Sequence, residues 1–312
     1  MQPGNRKAIL AALAANLGLS IAKFAGWAAT GAASMLAEAV HSLADSGNQA
    51  LLLWGAASAK RPATEEHPFG FARDRYFWAF VVSVVIFALG SLFAIYEGIQ
   101  RLRDPHELAN PLIAIAILTA GIAMEGMSFR TAVIEARKQK KQLGWWEFIR
   151  RTKNPELPVI LLEDLGALLG LVLALVGIGL ASLTGEPLFD AVGSITIGVL
   201  LGVIAIVLAI EMRSLLIGEA ASPEDRAAIR QSLSETQSVE RLIHMRTQHF
   251  GPDQLLVALK VQFAGDLSSE GVADGINEAE RRIRERVPVA KLIFIEPDIY
   301  RAGPTDIGGD PD

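Results

Sequence analysis

From Ala8 to Met212 the chain runs in long apolar blocks, six of them long enough to cross a bilayer as helices. A spanning helix needs about 20 mostly apolar residues to match a hydrocarbon core of roughly 30 Å. The blocks lie at about 8–28, 33–58, 76–100, 110–131, 157–183 and 188–211. They predict an all-α six-helix transmembrane domain over residues 1–213. Residues 214–300 have ordinary soluble composition, and 301–312, rich in Gly, Pro and Asp, read as a disordered tail. The first block is expected to stay in the membrane rather than act as a cleaved signal, because its apolar run is long and no small-residue cleavage pattern follows it.

Composition narrows the function. With 51% hydrophobic residues and a mean hydropathy of +0.34 over 312 residues, the chain is too apolar for an ordinary soluble enzyme. Its net charge of -5 argues against nucleic acid as a partner. The absence of cysteine excludes a disulfide scaffold, thiolate zinc sites and thiol nucleophiles. Basic residues flanking the blocks set the orientation. Arg6 and Lys7 precede the first, Lys60, Arg61, Arg73 and Arg75 follow the second, and a run from Arg137 to Lys153 follows the fourth. The loops around Thr30 and Thr184 carry none, with Arg101 and Arg103 as the dissenters. Both termini are therefore expected to be cytoplasmic, in a multi-pass protein of the cell (inner) membrane surrounded by lipid.

The soluble segment reads as α, β, β, α, β. Ser222 is a plausible N-cap with Pro223 at the first helical position and Glu224 and Asp225 in the first turn, which predicts a helix to Leu233. Alternation predicts strands at 239–249 and 254–263 around a turn at Phe250-Gly251-Pro252-Asp253. Val272, Ile276, Ala279, Ile283 and Val287 fall at helical spacing over 271–287, and a last strand is expected at 290–295.

The informative polar residues stand inside the second and fifth blocks. Ionisable groups at membrane depth cost at least about 2.5 to 3.5 kcal/mol each, so they face a protein interior or a watery cavity and call for a function. His41 and Asp45 are four apart and share one helical face, with Glu38 and Asn48 continuing the stripe. An imidazole and a carboxylate on adjacent turns can grip one divalent ion. The opposing reading makes the pair packing glue between helices, but two titratable groups are a costly way to achieve that. In the fifth block the acidic pair Glu163 and Asp164 offers partners, pointing about 100° apart on a helix, so that one can bind metal while the other caps, pairs or carries a proton. Glu125 is a further acid, either functional or paired with Arg130 or a helix end. Lys23 either snorkels to the interface, the duller and favoured reading, or serves as counter-charge to one of these acids.

At His41-Ser42-Leu43-Ala44-Asp45 together with His67-Pro68-Phe69-Gly70-Phe71-Ala72-Arg73, the chain resembles the cation diffusion facilitator family of divalent-metal transporters. The Leu162-Glu163-Asp164 run resembles the branch of that family containing the mitochondrial zinc transporter. The resemblance implies a homodimer that exports Zn2+ or a similar ion in exchange for protons, with the soluble segment as a cytoplasmic dimerisation module of ferredoxin-like αββαβ fold. It also implies two ligands from the second span and two from the fifth, the latter four residues apart. Here Ile160 and Leu168 occupy the positions four before and four after Asp164, so one ligand position is apolar. The His that follows the HPFG-type motif in some members is replaced by Phe71, leaving His67 with Glu65 and Glu66 nearby. The 274–279 segment, where some members carry a metal-binding His, has none, and His244 and His249 are expected to be structural.

The expected site is thus His41, Asp45 and Asp164, with Glu163 as the uncertain fourth member. Nitrogen plus carboxylate oxygen suits Zn2+, with Co2+, Fe2+ or Mn2+ as alternatives, carried as cargo and not held as a cofactor. Because a ligand must lose its proton to bind metal, exchange against protons follows naturally. The rival reading is a non-transporting membrane scaffold or sensor whose soluble segment binds a partner. A zinc enzyme is a third reading, disfavoured because no HExxH-like pair with a general base is present.

Overall fold

The computed structural model describes residues 3–140 and 142–301, with side chains from residue 16 onward. The expected disordered tail, apart from Arg301, lies outside the described residues, as do the side chains of Arg6, Lys7 and Lys141. The chain divides into two compact units, Met1–Pro62 with Asp74–Arg213, and Ala63–Arg73 with Ser214–Asp312.

The first unit is helical. It comprises α1 (Pro3–Thr30), α2 (Ala33–Ser58), α3 (Asp74–Val85), a π-helical segment (Ile86–Leu92) running on into α4 (Phe93–Arg103), α5 (Pro111–Lys140), α6 (Trp145–Arg151), α7 (Glu156–Thr184) and α8 (Leu188–Ile217). Among the described residues, four helical rods are long and apolar enough to cross a membrane: Asp74–Arg103, Pro111–Lys140, Glu156–Thr184 and Leu188–Ile217. The protein is therefore a membrane protein. α1 and α2 are comparably long, at 28 and 26 residues, and α2 interrupts its apolar run with the polar stripe.

Two local features lie beyond the sequence reading. α5 continues past the expected span at 110–131 to Lys140, with Ala136 extending its buried face against Phe148 and Leu161 while the basic residues stay outside. The basic stretch after it also contains α6. Helix ends are stitched by long-range contacts. Ala32 caps α2 without a side-chain bond, and Asp190 of α8 takes over, accepting from the Ala33 N–H at 2.7 Å, the Ser34 N–H at 3.2 Å and the Ser34 hydroxyl. Arg75 grips Glu156 through two bonds of 2.7 and 2.8 Å, tying α3 to the start of α7. Small residues let the third rod and α8 touch: a Cβ on Gly98 of α4 would lie 2.8 Å from the Ala191 carbonyl, and one on Gly198 of α8 would lie 2.8 Å from the Ser91 carbonyl of the π-helical segment.

The second unit is a small α+β module: α9 (Pro223–Ser234), β1 (Val239–Gly251), β2 (Gln254–Phe263), α10 (Ser269–Arg286) and β3 (Ala290–Pro297). Ser222 caps α9 by accepting from the Asp225 N–H at 3.0 Å. The three strands lie in the order β1-β2-β3, the first pair antiparallel and the second parallel. Along β2 the side chains alternate as expected: Leu255, Val257, Leu259, Val261 and Phe263 are buried with Ile229, Leu233, Ala279 and Ile283 of the helices, while the intervening residues are half-buried.

Candidate metal site

The polar stripe of α2 is buried along its length. Glu38, His41 and Asn48 are fully inaccessible, and Asp45 is 7% exposed. Spacing of three and four residues on a 3.6-residue helix places them on one face, and α7 covers that face with Glu163, itself 5% exposed. The His41 Nδ1 lies 3.4 Å from Asp45 Oδ1, an ion-pair distance rather than a hydrogen bond. The carboxyls of Asp45 and Glu163 meet across the two helices. Asn48 Nδ2 donates to Glu163 Oε1 at 2.9 Å.

Of the two acids of α7, Glu163 is therefore the one that joins the α2 stripe. Asp164 turns towards α5, where the Ser128 hydroxyl donates to its Oδ2 at 3.0 Å. The divergence follows from the roughly 100° between successive residues of a helix. Glu125, also on α5, lies within electrostatic reach of Glu38, Asp45, Glu163 and Asp164. Among the described residues, no three His, Asp or Glu side chains already converge on an ion-holding arrangement.

Lys23 corrects the snorkelling expectation. Its ammonium is fully buried, 3.0 Å from Glu38 Oε2 and 2.5 Å from the Ser42 hydroxyl. Position along α1 explains it: Lys23 stands seven residues before the helix end, too deep for its four-carbon stem to reach an interface, so an internal carboxylate supplies the counter-charge. The third rod contributes through its π-helical segment, a wider turn of the kind often found at functional sites. There Gly90 lies beside the imidazole, where a Cβ on it would be in ordinary contact at 3.7 Å from His41 Nδ1. Sequence reasoning gave no sign of that segment.

The HPFG-type loop lies in the second unit and has a packing role there. Phe69 stacks against Phe250 with ring centroids 5.2 Å apart, the Arg73 guanidinium sits 4.4 Å over the same ring, and Gln254 Nε2 donates to the Phe69 carbonyl at 3.3 Å. His67 is exposed and packs on Phe71 at 4.6 Å. Of the two histidines of the strands, His249 is buried with Nδ1 3.2 Å from the Gly251 carbonyl, and His244 is half-buried opposite Lys260.

The chain belongs to the cation efflux family: the family model of the cation efflux transmembrane domain matches residues 9–217, and that of the cation efflux protein cytoplasmic domain matches residues 221–300. Among its relatives, the proton-coupled zinc antiporter SLC30A9, mitochondrial, of Xenopus laevis is 34% identical over 84% of this chain and 47% of its own length. Metal tolerance protein C4 of Arabidopsis thaliana is 31% identical over 84% of this chain and 58% of its own. The cation-efflux pump FieF of Cronobacter sakazakii is 27% identical over 93% and 91%. The chain spans about half the length of the SLC30A9 relatives.

Proposed function

We propose that the protein exports a divalent metal cation, Zn2+ foremost, in exchange for protons, by alternating access around the buried cluster between α2 and α7. The observation that carries this reading is the burial of His41, Asp45 and Glu163 together inside an apolar bundle, with both imidazole nitrogens and Asp45 Oδ1 making no hydrogen bond to the protein. Buried polar atoms are ordinarily satisfied, and a cluster of exceptions in one place is the signature of atoms kept for a ligand. Asp45 and Glu163 supply two negative charges to balance a divalent ion, and the nitrogen of His41 favours zinc over manganese. Asp164 completes the acidic set from the α5 side. Proton coupling follows because metal and protons compete for the same lone pairs: a proton taken up on one side ejects the ion that deprotonation on the other side admitted. The names of the relatives, a zinc antiporter and a cation-efflux pump, agree with this reading.

In the same proposal α1 and α2 join the four apolar rods to make six spans, with both termini in the cytoplasm of a cell whose inner membrane holds the protein. The αββαβ module, of ferredoxin-like type, pairs two copies into a homodimer. The test is flux of Zn2+, Co2+ and Mn2+ into proteoliposomes under an imposed pH gradient. Zn2+ uptake is expected to follow the gradient and to fall at least about 100-fold in Asp45→Ala, beyond the loss typical of a residue that merely supports a ligand. Undiminished flux in that variant would overturn the site.

A further inference from the structure

Glu163 is the α7 acid that joins the stripe, and the positions one turn either side of it, Val159 and Ala167, are apolar, so α7 offers no second donor on that face. We propose that the missing donor comes from α2 instead, as the side-chain carbonyl oxygen of Asn48, which binds the cargo ion together with His41, Asp45 and Glu163. This rests on the transport site proposed above and specifies its ligand set.

Three observations carry it. Asn48 follows Asp45 by three residues and His41 by seven, so the three side chains fall within one narrow arc of the helix. The Asn48 amide is oriented: Nδ2 is held by Glu163 Oε1 at 2.9 Å, which turns Oδ1 away as the free end. That oxygen is buried and makes no hydrogen bond to the protein, and it shares this condition with His41 Nδ1, His41 Nε2 and Asp45 Oδ1 on the same two turns. An asparagine that served packing alone would bury its stronger acceptor at a free-energy cost with nothing in return.

Charge supports the same set. Asp45 and Glu163 already cancel a divalent ion, and in a low-dielectric interior a third coordinating carboxylate would leave the complex anionic. A neutral amide oxygen adds a donor without adding charge. Imidazole, two carboxylates and one amide make four donors, the number that zinc takes in its tetrahedral sites. Asp164, held by Ser128 on the other side of α7, stays outside this inner set.

Co2+ binding to the purified full-length protein in nanodiscs tests the assignment, because the visible band of Co2+ reports both affinity and ligand number. Wild type is expected to show an intense four-coordinate band, absent in Asp45→Ala. Asn48→Ala is expected to bind Co2+ at least about 10-fold more weakly, and, because a residue that merely supports a ligand also costs about 10- to 100-fold, the decisive sign is a changed band. Asn48→Asp keeps an oxygen donor but loses the N–H that holds Glu163 and adds a third negative charge, so if the oxygen is a ligand it is expected to keep a four-coordinate band, shifted from wild type, whatever its affinity. Weaker binding in Asn48→Ala with an unchanged band, or a wild-type band in Asn48→Asp, means that Asn48 only positions Glu163 and overturns the proposal. Should the Ala variant fail to fold, Asn48→Asp decides alone: a shifted band supports coordination and a wild-type band refutes it. Wild-type binding in Asp45→Ala removes the whole site and this assignment with it, whereas loss in Asp45→Ala beside undiminished binding in Asn48→Ala sinks only the assignment.

Discussion

The helical unit and the αββαβ module carry the same kinds of charged side chain and put them to opposite uses. In the module, Glu235 meets Arg282 and Arg286, Glu278 meets Arg281 and Arg282, and Lys260 meets Glu296 and Asp298, all in contact with water. In the helical unit, Lys23, Glu38, His41, Asp45 and Glu163 lie inside an apolar bundle, and several of their polar atoms have no partner in the protein. Water makes a surface pair cheap to form and cheap to lose. Burial makes each interior charge expensive, so a group that stays there must be paired or must serve a ligand. The contrast separates Lys23 with Glu38, which are paired, from His41 with Asp45, which stand ready to bind.

The strongest way to break that contrast is to remove one interior charge. Lys23→Met leaves Glu38 buried without its counter-charge and is expected to destabilise the protein by about 3 to 5 kcal/mol. Replacing both, as Lys23→Met with Glu38→Leu, should recover most of that loss, since an apolar pair of similar volume is often no worse than a buried ion pair. Thermal unfolding in detergent reads both variants. A double variant as unstable as the single one would show that the pair holds the helices by something other than charge balance.

A smaller effect comes from the helix that covers the stripe. A Cβ on Gly170 of α7 would collide with Glu38 Oε1, whereas one on Gly179 of the same helix meets no atom within 4 Å. Gly170→Ala is therefore expected to cost about 1 to 3 kcal/mol through overpacking. Gly179→Ala should be neutral or stabilising by up to about 1 kcal/mol, because alanine restricts the unfolded chain and favours helix. The two variants, side by side in the same unfolding assay, ask whether closeness to the buried pair or mere helix propensity governs α7. Equal midpoints would mean that Glu38 yields without cost.

What the sequence could tell followed the reach of each signal. The αββαβ order, the Ser222 cap and the alternation along β2 are local patterns, and the helices and strands formed where those patterns lie. The α2 stripe was equally legible, because residues three and four apart must share a face whatever surrounds them. Lys23 was read wrongly because its partner is on another helix, and a lone Lys in an apolar run looks the same whether it reaches inward or to the interface. The capping of α2 by Asp190, 157 residues away, is a tertiary event with no local trace. The acidic pair on α7 announced that its members diverge but not which of them faces α2, since helix rotation is set by packing rather than by spacing. Asn48 was visible as part of the stripe, yet only the orientation of its amide singles out the oxygen.

The smallest effect tests the other side of the comparison. Hydrogen bonds from Arg286, and then from Gln231, hold the Glu235 carboxyl below the usual carboxylate range. Arg281 and Arg282 do the same for Glu278, and Lys260 does it for Asp298. A carboxyl whose value falls on folding contributes stability that is fully present above its unfolded value and is lost as the pH drops through the folded one. Protection of the amides in α9 and α10 of the full-length protein, that is their exchange corrected for its intrinsic pH dependence, should therefore be unchanged through neutral pH and should weaken only below the ordinary carboxylate range. Arg286→Ala should shift the wild-type profile only slightly, because Glu235 is exposed and water already screens it. At about 1 M salt, where the screening length is about 3 Å, even that shift should vanish, while the Lys23→Met defect should persist. A salt-sensitive Lys23 effect would place that pair in contact with water and dissolve the distinction between the two units.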